Sequence, residues 1–355
     1  MSFEGSGTMR AMRLHADHGA SAALRLESDV PIPVPAENEV LVAVRACGLN
    51  QVDLLTRDGE TPQEVPLPHI SGTEVAGDIV AVGAAVTGWN AGDRVVVDPI
   101  LTCGECENCV AGRTNMCRVS RVFGVQTEGG YAEYATVPAR QLLALPVSLD
   151  YAAAAAAAVT GPTAWHMLRR RADIRIGEDV LIIAAGSGIG VLGIQIAKLA
   201  GARVIATAGS KAKMDAAKEL GADFVVNHSE EGWAKKVRSF TGGRGVDVVF
   251  EHVGAATWDG SLQALARGGR VVTCGGHSGF DVKINLWHLF VKEQTLIGSF
   301  AGTRQDFLEV LKLVEQGHIR QVVQEVLPFD DLPRAQQMLR DRKVFGKLIL
   351  DPTLS

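Results

Sequence analysis

Four of the six cysteines lie within fifteen residues of one another, at a spacing typical of a metal site. Two-residue gaps separate Cys103, Cys106 and Cys109, and Cys117 follows after seven more residues. This spacing lets the chain fold back so that four thiolates reach one tetrahedral Zn²⁺ at about 2.3 Å. Such a site has no open coordination position, so it would hold a loop and do no chemistry. Disulfides or unliganded thiols are the alternatives, and we expect zinc because no secretory pattern precedes the cysteines.

A glycine-rich segment is the second candidate site. The apolar run Val180–Ile183 leads into Ala184-Ala-Gly-Ser-Gly-Ile-Gly190, and a helical pattern follows. Glycines let the backbone turn sharply and approach a pyrophosphate, which the free N–H groups of a helix N-terminus stabilise. A glycine turn without a ligand is the alternative, but the strand–loop–helix context favours a dinucleotide cofactor. The predicted contacts are Gly186, Ser187, Gly188, Ile189 and Gly190.

The end of the next strand bears on which dinucleotide binds. Sites for NAD place an acid there for the ribose 2′-hydroxyl. Here the predicted strand Arg203–Thr207 is followed by Ala208-Gly-Ser-Lys211, a segment that contains no carboxylate. A hydroxyl and a lysine suit the 2′-phosphate of NADP, so Ser210 and Lys211 are candidates. The alternative is that Lys211 and Lys213 are simply solvated residues of the following helix. The sequence therefore favours NADP(H).

The elements that must position these sites fall into two groups. Up to about residue 150 the chain reads as short strands broken by turns, including Val40–Ala46, Val75–Val82 and Arg94–Val97. The alanine run Ala152–Ala158 predicts a helix that links two domains. From Asp179 onward strands and helices alternate, which predicts an α/β fold with a doubly wound parallel sheet beside a separate β-rich domain.

The overall composition excludes several classes of function. A formal charge of −5 over 355 residues gives no basic footprint for DNA, RNA or anionic lipid. Val180–Ala197 carries no charge over nearly the length of a membrane helix, but its glycines suit a buried strand, loop and packed helix better. The first residues, MSFEGSGT, lack the pattern of a signal peptide. We expect a cytoplasmic protein that binds small molecules, with no nucleic acid and no membrane.

Together these features resemble the medium-chain dehydrogenase/reductase superfamily, which includes zinc alcohol dehydrogenases and quinone oxidoreductases. The likeness runs from Met9-Arg-Ala-Met12 through Pro68-His-Ile-Ser-Gly-Thr-Glu74 and Gly129-Gly-Tyr-Ala-Glu-Tyr134 to Phe345-Gly-Lys-Leu-Ile349. The resemblance implies a GroES-like catalytic domain over residues 1–155 and 301–355, with a structural zinc lobe at 100–120. It implies a Rossmann NADP-binding domain over residues 156–300.

The chain departs from the zinc alcohol dehydrogenases at the positions of their catalytic zinc ligands. Asn50 stands at the cysteine position, Thr73 at the histidine of G-H-E, and Val159 near the third ligand. Amide, hydroxyl and alkyl groups cannot together hold Zn²⁺. Cys47 and His69 lie nearby, but two ligands are too few. We therefore expect no catalytic zinc.

The segment around Asn50 resembles the quinone oxidoreductase branch, whose members reduce quinones and enones with NADPH and no metal, although most of them lack the structural-zinc lobe that this chain keeps. In that branch the segment Thr160-Gly-Pro-Thr163 lines the nicotinamide pocket. We predict that Asn50 positions the substrate carbonyl or an ordered water, that Thr160 and Thr163 lie beside the nicotinamide, and that His69 forms a polar wall. The alternative for Asn50 is that it only fixes the turn after its strand, and Asp53 is expected to be structural.

Further cofactor contacts follow from the resemblance by position. His228 stands where that branch has a tyrosine beside the 2′-phosphate. Gly254, Gly276 and His277 follow strands and should border the ribose and nicotinamide, and Lys347 matches a lysine near the cofactor. The family usually pairs through the edge of the nucleotide sheet, so the resemblance implies a homodimer through Gln294–Ser299.

Three functions remain open at this stage. The leading hypothesis is an NADPH-dependent reductase of quinones or α,β-unsaturated carbonyl compounds, both small carbonyl-containing substrates. The second is a metal-free alcohol or aldehyde dehydrogenase that acts through a relayed proton. The third is a protein that binds NADPH with little turnover.

Overall fold

The structure is a computed structural model that describes residues 7–15, 23–61 and 65–354. The chain divides into two compact units. A β-rich unit comprises Met1–Val159, Thr303–Glu315 and Val322–Ser355, and a parallel-sheet unit comprises Thr160–Gly302 and Gln316–Gln321. The boundaries at 159 and 302 fall a few residues beyond the expected ones. No helix among the described residues is long and apolar enough to cross a bilayer.

The strands of the described chain, in order, are β1 (Thr8–Leu14), β2 (Leu24–Pro31), β3 (Glu39–Gly48), β4 (His69–Ile70), β5 (Glu74–Val82), β6 (Arg94–Val97), β7 (Ile100–Leu101), β8 (Arg121–Val122), β9 (Tyr134–Pro138), β10 (Leu142–Ala144), β11 (Asp179–Ile182), β12 (Arg203–Ala208), β13 (Phe224–Asn227), β14 (Val246–Glu251), β15 (Leu265–Thr273), β16 (Thr295–Gly298), β17 (Val323–Pro328) and β18 (Lys347–Asp351). The α-helices are α1 (Gln51–Asp58), α2 (Glu107–Val110), α3 (Tyr151–Ala157), α4 (Thr160–Trp165), α5 (Gly188–Leu199), α6 (Lys211–Glu219), α7 (Trp233–Phe240), α8 (Ala255–Ala264), α9 (Leu286–Val291), α10 (Arg304–Glu315) and α11 (Leu332–Arg340).

The β-rich unit is built on one large sheet and two small ones. The large sheet has the order β10-β6-β5-β3-β18-β17, with β9 also paired to β3. Strands β2-β1-β4 form a second sheet, and β7 pairs with β8 beside the cysteine cluster. The predicted strands at 40–46, 75–82 and 94–97 are β3, β5 and β6, so this part of the prediction is confirmed.

The alanine run explains how a helix lies close against the large sheet. Helix α3 begins after Asp150, whose side chain accepts a hydrogen bond from the Ala153 N–H at 2.6 Å. Ala154–Ala158 are fully buried against Ala46, Ala76 and Ile349 of the sheet. Alanine has the highest helix propensity, and its small side chain permits close approach of helix and strands.

The parallel-sheet unit has the strand order β13-β12-β11-β14-β15-β16, and every neighbouring pair is parallel. This is the order of a doubly wound dinucleotide-binding sheet, so the predicted fold class is confirmed. Strands β11 and β12 are almost entirely buried, as expected for strands covered by helices on both faces. In such sheets ligands bind at the carboxyl ends of the strands.

Asp53 stabilises the turn between β3 and α1. Its Oδ2 accepts hydrogen bonds from the Asn50 backbone N–H at 2.7 Å and from the Tyr131 hydroxyl at 2.8 Å. The side chain is 1% exposed, and its Oδ1 has no partner in the described part of the chain. Burial raises the pKa of Asp53 to about 6. This agrees with the structural role that the sequence suggested for Asp53.

Replacing Asp53 should therefore change how stability depends on pH. Because the pKa is raised, folding is penalised when the carboxyl ionises: the penalty is absent below the ordinary value of 3.8 and complete above about 6. Asp53→Asn keeps an acceptor for both donors without the charge. We expect the free energy of unfolding of the variant, relative to the native protein, to rise by about 1–1.5 kcal/mol between pH 5 and pH 8. Urea unfolding at both values measures this, and an equal or smaller difference at pH 8 would contradict it.

Candidate active site

The four clustered cysteines have the geometry of a tetrahedral zinc site. Their sulfur atoms all lie within 4.8 Å of one another, and Cys103 Sγ is 3.9 Å from Cys109 Sγ and 3.6 Å from Cys117 Sγ. A Zn–S distance of about 2.3 Å in a tetrahedron places the sulfurs about 3.8 Å apart. Backbone N–H groups of Cys103 and Cys106 point at Cys117 Sγ and Cys103 Sγ, each at 3.4 Å. The chemistry and the spacing of the four thiols therefore suit a tetrahedral Zn²⁺ site.

Backbone donors also favour the charged form of one of these thiols. The N–H groups of Cys109 and Arg118 lower the pKa of Cys106 to about 6. A thiolate is the form that binds zinc. Among the described residues this is the only group of three or more histidine, cysteine or acidic side chains placed to hold a metal ion.

A buried polar network occupies the place where the sequence lacks catalytic zinc ligands. Asn50, which precedes α1, donates from Nδ2 to Thr73 Oγ1 at 3.1 Å. Its Oδ1 accepts a hydrogen bond from Lys347 Nζ at 2.9 Å. Lys347 also donates to the Leu49 carbonyl at 2.5 Å and lies 2.6 Å from Glu74 Oε2. The ends of β3, β5 and β18 thus meet in one hydrogen-bonded cluster.

The members of this network differ in how much solvent they reach. Thr73 and Glu74 are fully buried and Lys347 is 3% exposed, whereas Asn50 is only half-buried. Burial raises the pKa of Glu74, and the Lys347 ammonium opposes that shift. Asn50 is therefore the member that can touch a ligand.

Val159 lies beside the same network. Its backbone N–H donates to Glu74 Oε1 at 2.9 Å, so the residue predicted near the third zinc-ligand position is indeed close to the other two. Its alkyl side chain offers no ligand atom. The Cys47 thiol nearby is 1% exposed within the hydrophobic core, and burial raises its pKa well above the ordinary value.

His69 begins β4 and is buried. Its Nε2 is 3.2 Å from the Gly124 carbonyl, to which it donates, and burial lowers its pKa, so the ring is neutral at pH 7. No hydrogen bond between His69 and Asn50 is found in the described residues. Its role as a polar wall of the pocket stays a prediction.

Lys347 was expected near the cofactor. An ammonium has three N–H donors; two go to the Leu49 carbonyl and Asn50 Oδ1, and the charge is paired with Glu74. Within the β-rich unit Lys347 therefore holds Asn50, and a direct cofactor contact remains only a prediction. The sequence did not indicate the Glu74 pairing, because the two residues are distant along the chain.

The glycine loop after β11 has the shape expected of a phosphate-binding turn. Ser187 begins α5, and its Oγ accepts from the Gly190 N–H at 2.9 Å. A Cβ at Gly190 would lie 2.6 Å from the Ala184 carbonyl oxygen, so only glycine fits there. Gly186, Ser187, Gly188, Ile189 and Gly190 thus form one tight turn at the N-terminus of α5, the end of a helix that favours an anion.

Glu251, which sequence reasoning missed, and the adjacent His252 shape the neighbouring turns. Glu251 is fully buried at the end of β14, where it accepts from the N–H groups of His252, Val253 and Gly254 and from the hydroxyls of Thr257 and Ser261. An acid that ends an apolar strand before a glycine was the available signal. His252 Nε2 lies 3.0 Å from the Ile183 carbonyl oxygen and 3.1 Å from Ser187 Oγ, and burial lowers its pKa to about 4.

The predicted contacts after β14 and β15 lie in turns that are joined to each other. The Ser278 N–H donates to the Val253 carbonyl at 2.9 Å, and the Ala255 N–H donates to the Gly279 carbonyl at 3.1 Å. Gly254 and Gly276 belong to these turns, and the His277 ring centre is 6.0 Å from that of His252. Thr160 and Thr163 are both buried on α4 in the same unit.

The end of β12 carries the residues predicted to choose between dinucleotides. Ser210 caps α6 by accepting from the Lys213 N–H, and Lys211 is paired with Asp215 at 2.5 Å on the exposed face of α6. His228 Nδ1 lies 3.0 Å from Thr207 Oγ1, and Nε2 approaches the Gly209 turn. Ser210 and His228 therefore flank one turn that has no carboxylate of its own.

Two family models match the chain. The model described as alcohol dehydrogenase GroES-like domain matches residues 36–147, and the one described as zinc-binding dehydrogenase matches residues 188–316. The first match lies in the β-rich unit, and most of the second lies in the parallel-sheet unit.

Individual relatives cover nearly the whole chain. An NAD-dependent alcohol dehydrogenase of Sulfolobus acidocaldarius is 34% identical, over 97% of this chain and 100% of its own. An acryloyl-coenzyme A reductase of Sulfurisphaera tokodaii is 32% identical, over 94% and 98%. A quinone oxidoreductase of Rattus norvegicus is 31% identical, over 98% of each. The crystal structure of an NAD-dependent alcohol dehydrogenase is 41% identical, with a TM-score of 0.92 over 97% and 99% of the two chains. The chain therefore belongs to the medium-chain dehydrogenase/reductase superfamily of nicotinamide-dependent oxidoreductases.

Proposed function

We propose that the protein is an NADPH-dependent reductase of quinones or α,β-unsaturated carbonyl compounds that works without a catalytic zinc. The observation that carries this proposal is the network of Asn50, Thr73, Glu74 and Lys347. The amide of Asn50 and the hydroxyl of Thr73 stand at two of the ligand positions and the alkyl side chain of Val159 near the third, so they do not offer the set of atoms that Zn²⁺ prefers, and the ion pair beside them is internal. The relatives named quinone oxidoreductase and acryloyl-coenzyme A reductase support the same reaction class.

The network suits charge that is spread over a conjugated system. Bound NADPH would supply the hydride, and the phosphate loop at residues 186–190 would hold its pyrophosphate. Reduction of an enone or quinone leaves an enolate or phenolate, whose charge a few hydrogen-bond donors can stabilise. Lys347 holds Asn50 Oδ1 inside the cluster, so the amide N–H groups face away from the ammonium and one of them can donate to a substrate oxygen. A simple ketone would need a stronger Lewis or proton acid.

The preference for NADPH rests on the turn after β12. Ser210 and His228 flank this turn, Lys211 follows it, and it contains no carboxylate that would bind a 2′-hydroxyl. The remaining predicted contacts, Gly254, Gly276, His277, Thr160 and Thr163, lie in the same unit and are proposed to border the ribose and nicotinamide.

A second function is an NAD-dependent alcohol or aldehyde dehydrogenase. It is favoured by the names of the relatives that are 34% and 41% identical. In that case the half-buried Asn50 would orient a water for proton relay.

We also propose one structural Zn²⁺ at Cys103, Cys106, Cys109 and Cys117.

We further propose a homodimer through the edge strand β16. Beside β16 in the same unit, Leu286, Trp287 and Phe290 of α9 are each at least 60% exposed. Apolar side chains so exposed are typical of a protein interface. Sedimentation at twice the chain mass is the expected result, and a monomer would contradict it.

The reaction class is tested by comparing matched substrates. We expect NADPH oxidation with a cyclic enone and a quinone, and turnover at least about 100-fold lower with the saturated ketone of the same skeleton. NADH should give a lower kcat/KM than NADPH. Faster NAD⁺ reduction by a simple alcohol than NADPH oxidation by any enone would instead establish the second function.

The roles of Asn50 and Lys347 are separable by kinetics. Asn50→Ala should lower kcat with the enone by roughly 10- to 100-fold, because one donor to the developing charge is lost. Lys347→Met combined with Glu74→Gln removes both buried charges and should lower kcat by about tenfold with an unchanged KM for NADPH, because the Asn50 amide loses its orientation.

A matched control is available at the surface. Lys343→Met removes a lysine that is paired with Asp341 in solvent and should leave kcat unchanged. If the double variant raises the KM for NADPH and leaves kcat unchanged, Lys347 contacts the cofactor and does not position Asn50. Full activity of Asn50→Ala with every substrate would show that Asn50 has no role in the active site.

A further inference from the structure

A groove lies in the parallel-sheet unit, away from the phosphate loop at residues 186–190. We call it the basic groove: it is lined by residues that precede β14 and β16, by the first residues of β15, by the ends of α7 and α8, and by one face of α9, and its volume is about 940 Å³. The cofactor turns follow the carboxyl ends of β11, β12, β14 and β15. Because all six strands are parallel, residues that precede them lie at the opposite edge of the sheet. The basic groove is therefore separate from the dinucleotide site.

Positive charge dominates this groove. The cationic side chains that line it are Arg238, Arg244, Arg267, Lys283 and Lys292, whereas Asp259 is the one carboxylate in its lining. The chain as a whole is acidic, with a net charge of −5. The groove thus concentrates a charge opposite to that of the rest of the protein.

Three of these cations form no ion pair among the described residues. Arg244 is paired with Asp179 and Asp247, and Arg238 donates to the Leu265 carbonyl at 3.0 Å. Arg267, in contrast, makes one hydrogen bond to the Val291 carbonyl at 2.9 Å and no ion pair with any carboxylate of the described residues. The same range of the chain provides no ion-pair partner for Lys283 or Lys292. Unpaired cations around one concave surface attract an anion.

The face of α9 that lines the groove is not its apolar face. Asn285, His288, Leu289 and Lys292 recur every three or four residues and line the groove. Leu286, Trp287 and Phe290, assigned above to the dimer interface, project from other positions around the helix. The face of α9 that lines the groove and its apolar face are therefore different surfaces of the helix.

We propose that the basic groove binds a small organic phosphate, with two or more phosphoryl charges, as a second ligand beside the cofactor. Arg267 offers a planar guanidinium that can bind phosphate oxygens in pairs, and Lys283 and Lys292 add mobile point charges. Leu262, Ile284 and Leu289 supply apolar surface for the organic part. The groove has the volume of an ordinary small-molecule site.

Calorimetric titration with inorganic pyrophosphate tests the proposal. The protein is first saturated with whichever nicotinamide dinucleotide binds it, so that the probe cannot occupy the phosphate loop. We expect saturable binding that weakens with added salt. Lys283→Ala with Lys292→Ala should weaken it at least tenfold, whereas Lys218→Ala with Lys235→Ala, which removes the same charge from α6 and α7, should leave it unchanged.

The outcomes that overturn the proposal are distinct. No saturable binding, or an equal loss in both double variants, would reduce the groove to a solvated basic surface. Duplex DNA that binds through the groove lysines while pyrophosphate does not would replace the small ligand with a nucleic acid. The dinucleotide affinity of both double variants should match that of the native protein, so the result does not depend on the proposed reductase activity.

Discussion

The buried ion pair between Lys347 and Glu74 is the interaction on which the candidate site depends. It joins the start of β18 to the start of β5, and through Asn50 and Leu49 it reaches the end of β3. Removing water from two charges is unfavourable unless their remaining hydrogen bonds are satisfied. Here the Val159 N–H donates to Glu74 Oε1, and Lys347 donates to the Leu49 carbonyl and to Asn50 Oδ1, while Glu74 Oε2 has the ammonium beside it but no hydrogen bond in the described residues. A Cβ at Gly48 would lie 2.2 Å from Glu74 Oε2, so glycine at that position is required by the pair.

The burial of this network explains why only one of its hydrogen-bond donors is accessible to a ligand. Four polar side chains come together, but only the half-buried Asn50 reaches beyond the cluster. A rigid amide held at both its oxygen and its nitrogen loses little orientational freedom when a substrate binds, which is how a preorganised donor stabilises developing charge. The cysteine cluster contributes differently: all four of its thiols face one point, so the metal they fit would stabilise a loop.

Those parts of the structure that depend on local pattern could be predicted from the sequence. The spacing of Cys103 to Cys117, the turn from Gly186 to Gly190 and the alanine-rich α3 each follow from residues that are close together in the chain. The order of the parallel sheet follows from the alternation of strands and helices together with the family resemblance. Strand β13 was not predicted, because Phe224–Asn227 is short and its residues are mostly half-buried.

The long-range pairings could not be predicted in the same way. Nothing in the sequence around Lys347 indicates that it would meet Glu74, and the five donors around Glu251 come from a turn and a helix whose geometry only the fold defines. The predicted residues also fall in two units: Asn50, His69 and Lys347 in the β-rich unit, and the threonines and dinucleotide turns in the other.

Zinc stoichiometry measured together with turnover tests the central claim most directly. Purified, dialysed protein would be analysed by mass spectrometry for metal while the same sample is assayed with NADPH and an enone. The account predicts one zinc per chain at full turnover, with no gain in rate when zinc is added. Two zincs per chain, with chelator-sensitive turnover of an alcohol or a simple ketone, would contradict the account. That result would show that Asn50, Thr73 and Val159 are not the residues at the positions of the catalytic zinc ligands.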